Sequence, residues 1–202
     1  KIYKKYYVDK GDERQGLFRI LAAKFDIQSG LYPGSFVHIT PSLVIPRMVY
    51  VDMDKRCGPF FNDEQTRAFI TRRKEYAPAP SLRFHRADFA GGFEEKEQSF
   101  DMLISLYSGF ISRHCQKYLK KGGILLANNS HGDAPLAWLD KRFAFIGVVK
   151  RRGNRFSYSE DALDSYFIPR GKKPLDAKNI EKTMRGPAYT GTAYAYIFRK
   201  KT

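Results

Sequence analysis

The stretch that most constrains this chain is Leu31 to Asp54, LYPGSFVHITPSLVIPRMVYVDMD, which reads as strand, glycine turn, irregular crossover, second strand and acidic end. Met48, Val49, Tyr50 and Val51 form a short apolar run rich in β-favouring side chains, as expected of a strand buried on both faces of a parallel sheet. Asp52 and Asp54 close it. A carboxylate just past a second strand, about twenty residues after a glycine turn, is where a doubly wound sheet holds ribose hydroxyls. At Pro33-Gly34-Ser35 the missing side chain of Gly34 leaves room for backbone to approach a ligand closely. Pro41 and Pro46 break the crossover, leaving room for at most one helical turn, with Thr40 as its cap.

The rest of the chain alternates in the same way. Asp12 to Phe25 places Leu17, Ile20, Leu21 and Phe25 on one helical face, with Gly30 in the turn that follows. Tyr6 and Tyr7, ahead of this helix, are open as lid residues. Lys55 to Asn62 and Asp63 to Lys74 read as helices, and Ser81 to Phe89 as a third strand ending in Asp88-Phe89. Phe100 to Tyr107 is a fourth, buried strand, and Ile111 to Leu119 a helix. A turn at Lys120-Lys121-Gly122-Gly123 then leads into a fifth strand, Ile124 to Ala127. Its exit, Asn128-Asn129-Ser130-His131-Gly132-Asp133, is dense in polar side chains; His131 is a candidate general base with Asp133 as its orienter, and Asp133 with Pro135 also suits a helix start. Phe143 to Arg152 and Arg155 to Tyr158 flank Gly153-Asn154 as a β-hairpin. Helices from Ser159 to Phe167 and from Asp176 to Gly186-Pro187, then a last strand over Tyr189 to Arg199, complete the reading.

This order of elements, with the ends of strands two to four, resembles the class I S-adenosylmethionine-dependent methyltransferases, a Rossmann-like superfamily; the glycine turn, with one glycine beside a proline and a serine, departs from its richer pattern. The resemblance covers about residues 12 to 160. It implies an α/β fold: one doubly wound, mostly parallel sheet with helices on both faces and an antiparallel C-terminal strand and hairpin. It implies S-adenosylmethionine as cofactor and methyl transfer to an acceptor that the sequence does not define. Carried onto this chain, Tyr32, Gly34 and Ser35 line the methionine and ribose part, and Asp52 with Met53 the ribose. Asp88 and Phe89 flank the adenine, and Ser105, Leu106 and Tyr107 form the reacting edge. Tyr107 and His131 are the catalytic candidates. The Asn/Asp-Pro-Pro-aromatic signature of DNA amino-group methylation is absent.

Composition bounds the remaining possibilities. With 202 residues we expect one domain: a helical cap over 1–30, a cofactor-binding core over 31–140, and antiparallel hairpin and C-terminal elements over 141–202. No apolar run reaches the roughly 20 residues of a membrane helix, and no signal sequence is evident, so a cytoplasmic protein is the default expectation. Cys57 and Cys115 lie far apart in sequence and His38, His85 and His114 lack ligand spacing, so neither a disulfide framework nor a metal site is expected. The formal charge of +15 permits nucleic acid as a partner without requiring it. A catalytically inactive, methyltransferase-like nucleic-acid-binding module is therefore the alternative function. A dinucleotide oxidoreductase is disfavoured by the missing Gly-x-Gly-x-x-Gly.

Overall fold

The computed structural model describes residues 1–171 and 174–201. The sequence Ile168 to Asp176, IPRGKKPLD, reads as a basic loop, and its Lys172-Lys173 pair lies outside the described residues.

A single eight-stranded sheet organises the chain: β1 (Ser29–Pro33), β2 (Arg47–Val51), β3 (Ser81–His85), β4 (Phe100–Ser105), β5 (Leu119–Ala127), β6 (Phe143–Arg152), β7 (Arg155–Ser159) and β8 (Ala195–Lys200). Their spatial order is β3-β2-β1-β4-β5-β8-β6-β7. β1 to β5 pair in parallel, with Tyr32 opposite Tyr50 and Leu103 opposite Leu125. β8 enters antiparallel between β5 and β6, and β7 turns back on β6. The expected doubly wound α/β sheet with an antiparallel C-terminal strand and hairpin is the fold observed.

Helices cover both faces. α1 (Gln15–Phe25), α2 (Cys57–Asn62) and α3 (Glu64–Arg73) accompany one core, in which Leu17, Leu21, Tyr50 and Phe61 are buried. α4 (Ile111–Cys115) and α5 (Asp133–Leu139) cover the other, around Leu31, Leu103, Leu125 and Phe198. β2, β4 and the Gly123 to Ala127 part of β5 are buried nearly throughout because they face helices on both sides, which is why Met48 to Val51, Met102 to Ile104 and Ile124 to Ala127 read as apolar runs. A last helix, α6 (Ala177–Thr183), is capped by the Asp176 side chain, which accepts from the Lys178 N–H.

Several local expectations change. Between β1 and β2 only a 3-10 turn forms, over Thr40–Leu43, with Ile39 rather than Thr40 at its cap. The stop after α1 is Asp26, in the left-handed region, not Gly30; Gly30 lies inside β1, where a Cβ would come within 2.6 Å of Met48 Sδ. β3 ends at His85, leaving Asp88 and Phe89 on the following loop. α4 is shorter than expected, and Lys120 to Gly123 belongs to β5 as an irregularity in its pairing with β4. No helix runs from Ser159 to Phe167: Ser159 is the last residue of β7, paired with Val148, and only a 3-10 turn follows at Leu163–Ser165. α6 stops before Gly186, and the last strand is confined to Ala195–Lys200, with Tyr189 reaching only Pro169 in an isolated bridge.

Candidate functional site

The strand order reverses between β1 and β4, because the chain leaves β1 toward β2 and β3 and later returns to add β4 on the opposite side. Loops diverge at the carboxyl ends of those two strands, and an open α/β sheet takes its ligands there.

On the β1 side, Gly34 holds φ +63° and donates its N–H to the Val51 carbonyl at 2.7 Å. The next turn brings the Phe36 N–H to Asp52 Oδ2 at 2.7 Å, while the Asp54 N–H reaches Asp52 Oδ1 at 2.8 Å. Asp52 therefore anchors the glycine loop to the exit of β2, and each of its oxygens keeps lone-pair capacity for a further donor. Met53, beside it, is 64% exposed. The space at Gly34 is taken by the loop after β4: a Cβ there would collide with the side chain of Ser108, whose Oγ lies 2.7 Å from the Gly34 carbonyl.

On the β4 side, Tyr107 sits at φ +63° and is 48% exposed. A tyrosine held in the left-handed region costs on the order of 1–2 kcal/mol, so the surrounding contacts impose this geometry. Arg14 supplies one of them, its guanidinium lying 4.9 Å from the Tyr107 ring centroid. Arg14 is itself left-handed (φ 59°) at the cap of α1, and its side chain is only 9% exposed. It pairs with Asp12, which also receives Arg151 at 3.3 Å. Burial would raise the Asp12 carboxyl, but the two arginines bring it below its ordinary value. The second contact is Asn128, whose Oδ1 lies 3.4 Å from the Tyr107 N–H and accepts the Ser130 hydroxyl at 2.8 Å.

The other sequence-derived candidates fall in different surroundings. Tyr32 is buried, with its hydroxyl 3.2 Å from His38 Nδ1. Leu106 is buried in the core with α1. Ser35 is buried and turns its Oγ to the Phe36 carbonyl. Ser105 Oγ donates to Asp133, a fully buried carboxylate that also accepts the Ser112 N–H at 3.0 Å and the Ser112 hydroxyl at 2.6 Å. Burial raises the Asp133 pKa, while the Ser105 and Ser112 donors oppose that rise. Asp133 therefore ties β4 to α4 and does not orient His131. The half-buried His131 instead has Nδ1 3.0 Å from Ser130 Oγ. Asp88 is exposed, its Oδ1 accepting the Ala90 N–H at 2.9 Å; Phe89 is half-buried, 6.0 Å from the His114 ring. Asp52, Met53, Tyr107 and the Asn128 to His131 loop thus share the strand-end surface, with Asp88 and Phe89 at its flank, whereas Tyr32, Ser105 and Leu106 are committed to the interior.

Over the β1 loop lies the N-terminal segment. Tyr7 stacks on His38 at 4.3 Å, and Tyr6 meets Phe36 edge-on at 5.1 Å. His38 Nε2 lies 3.0 Å from the Glu13 carbonyl and so carries the proton, leaving Nδ1 to accept from Tyr32. Burial, with Arg14 adding to it, pulls the His38 pKa down to about 3, so the ring is neutral. Sequence reasoning marked the Asn128 to Asp133 loop at the strand exit but missed Arg14 and His38 as parts of this edge. A charged Asp-Glu-Arg run immediately before an apolar helix was the available signal for the first; His38 had none, since its partners are distant in the chain. Cys57 and Cys115 are free and buried, and burial pushes both thiols up to about 12, so neither is ready to act as a nucleophile. Among the described residues, no three His, Cys, Asp or Glu side chains converge to hold a metal, and no helix is long and apolar enough to cross a membrane.

No family model matches the sequence, and no curated protein matches it. Among solved structures, the N-methyltransferase NodS from Bradyrhizobium japonicum is 11% identical, with 96% of this chain and 97% of that chain covered at a TM-score of 0.50. The O-methyltransferase from Bacillus cereus, solved in complex with SAH, is 12% identical over 72% of this chain and 77% of its own, with a TM-score of 0.48. The O-methyltransferase TomG from Streptomyces achromogenes, solved in complex with SAM, is 12% identical over 72% and 76%, with a TM-score of 0.47. At such identities the likeness to NodS, which spans nearly the whole of both chains, shows a shared Rossmann-like methyltransferase fold.

Proposed function

We propose that this chain is an S-adenosylmethionine-dependent methyltransferase whose cofactor lies across the carboxyl ends of β1, β2 and β4. The observation that carries the proposal is the Asp52 carboxylate, fixed by the Phe36 and Asp54 amides at the exit of β2 beside the reversal of strand order. The fold shared with an N-methyltransferase over almost the whole chain supports the same reading.

The residues present fit the nucleoside half of that group better than its amino-acid tail. Asp52 has acceptor capacity left for ribose hydroxyls. Met53 offers an exposed apolar side chain, and Asp88 keeps one carboxylate oxygen for the adenine amine beside the ring of Phe89. Gly34 and Ser35 would face the tail, but Ser108 occupies the space that Gly34 leaves, so the loop after β4 must shift to admit it. When bound, the cofactor supplies an electrophilic methyl on a sulfonium. The chain's contribution is positioning of an O, N or C acceptor in line with that methyl, with Tyr107 stacking on or hydrogen-bonding the acceptor and the half-buried His131 as the group that could take its proton. The Ser108 contact at Gly34 is also the one observation that favours the alternative, a fold that has lost its cofactor and retains a basic surface for nucleic acid.

Calorimetric titration with S-adenosylmethionine and S-adenosylhomocysteine, with NAD as control, decides between them. The reading requires saturable binding of either sulfur ligand and none of NAD. Asp52→Ala should then weaken binding by about tenfold or more, because it removes the charged acceptor and frees the loop. Binding left intact in that variant places the ribose elsewhere, and no binding by the unaltered chain sinks the methyltransferase reading.

A further inference from the structure

A cavity of about 640 Å³ lies between the N-terminal segment and the α2–α3 pair. Its volume lies within the range of roughly 300–1,000 Å³ typical of small-molecule sites. Ile2, Val8, Ile39, Phe60 and Phe69 make an apolar lining. The lining is also cationic: Lys1, Lys4, Arg56, Arg72 and Arg73 against a single lining carboxylate, Asp63. Arg56 is neutralised by Asp54 and Arg73 by Glu13. Lys1, Lys4 and Arg72 are exposed and have no carboxylate partner among the described residues. Asp63 is already occupied as the cap of α3, accepting the Gln65 N–H at 3.0 Å.

The wall formed by the N-terminal segment is unusual backbone. Lys4–Val8 is a single π-helical turn, closed by the Asp9 N–H on the Lys4 carbonyl at 2.9 Å, and none of its five residues is fully buried. Isolated π turns are rare and frequently border functional sites. The turn is fastened on one side by Tyr3, whose hydroxyl lies 2.7 Å from Glu13 Oε1 and 2.8 Å from Thr40 Oγ1 and whose ring meets Phe69 at 5.5 Å. On the other side it is fastened by Tyr7 on His38.

We propose that this cavity binds a small amphipathic anion, its acyl or aryl body against Ile39, Phe60 and Phe69 and its carboxylate or phosphate head between Lys4 and Arg72. Cations without a carboxylate partner beside an apolar lining select for that combination: a neutral apolar ligand leaves the charges unanswered, and a purely inorganic anion leaves the chamber empty. The site does not depend on the methyl-donor reading, which a separate titration with S-adenosylhomocysteine reports.

The test is calorimetric titration of the whole chain with decyl phosphate, below its micelle concentration, alongside decyltrimethylammonium and inorganic phosphate. Saturable one-to-one binding of decyl phosphate, with both controls much weaker, is expected. The Lys4→Glu/Arg72→Glu double variant should weaken it by about tenfold or more. Gln65→Trp, an exposed lining position, should weaken it by obstruction. Both variants should retain the parent thermal midpoint and parent response to S-adenosylhomocysteine. Absence of saturable binding overturns the proposal, as does binding unchanged in both variants or equal affinity for the cationic analogue. Sedimentation showing a dimer that binds decyl phosphate only on dilution also overturns it, because a second copy would then be the occupant.

Discussion

Gly34 and Ser108 meet where the loops after β1 and β4 cross, and their contact is decided by the absence of one methyl group. Gly34→Ala should destabilise the fold twice over, through its positive φ, at about 1 kcal/mol, and through the clash with Ser108. Ser108→Gly in the same chain should restore only the part due to the clash; chemical denaturation of the two variants separates the terms. Tyr107 carries the opposite balance. Tyr107→Gly relieves the left-handed strain while losing a half-exposed ring, so its thermal midpoint should match or exceed the parent's, whereas methyl transfer, once an acceptor is in hand, should fall. The position of Asp52 at the exit of β2 was legible in the sequence because its distance from Gly34 along the chain is fixed by one strand and one crossover. That its first duty is to hold the Phe36 amide was not, since a loop's internal hydrogen bonds follow from φ values that no pattern of apolar residues encodes.

At the scale of elements, Asp133 is the joint at the far side of the site. Its carboxylate collects the Ser105 hydroxyl at the end of β4 together with the Ser112 amide and hydroxyl in the first turn of α4. Asp133→Ala leaves these buried donors unanswered and should cost about 2–4 kcal/mol, read as a lowered denaturant midpoint, while Asp133→Asn, which keeps one acceptor oxygen, should cost less. Elements defined by neighbouring residues were readable: the β6–β7 hairpin around Gly153-Asn154 pairs as its alternation implies, Arg152 opposite Arg155. Ser159 was misread because a serine followed by Glu-Asp is a helix-cap pattern. Pairing of Ser159 with Val148 extends β7 instead, and its Oγ serves a local turn, 2.8 Å from Asp161 Oδ2. Asp133 failed as an orienter of His131 for a related reason: its partners lie 28 and 21 residues upstream.

For the molecule as a whole, His38 couples acidity to folding. It joins the N-terminal segment through Tyr7, α1's approach through Glu13, and β1 through Tyr32. Its folded pKa of about 3 lies below the unfolded value near 6.5, so the unfolded chain takes up the proton first. The stability it contributes is complete above pH 6.5 and is lost as pH falls from there toward about 3, at up to about 1.4 kcal/mol per pH unit. Urea midpoints measured from pH 7 to pH 5 should therefore drop in the parent, and His38→Gln, which preserves a donor for Glu13 and an acceptor for Tyr32, should flatten that slope. The alternation of strands and helices made the mostly parallel sheet with its antiparallel end legible from sequence, whereas this histidine's partners, brought together from three separate elements, were not.

The placement of β8 between β5 and β6 also bears on how such a chain emerges during synthesis. β6 and β7 are complete as a hairpin well before Ala195–Lys200 exists, yet the described pairing joins them to β5 only through that strand. Until it is translated, the edges of β5 and β6 that it will occupy stand open, and the hairpin can dock by its side chains alone. The first five strands can settle while the ribosome is still at work; the sheet is sealed only once Ala195–Lys200 has followed the hairpin out.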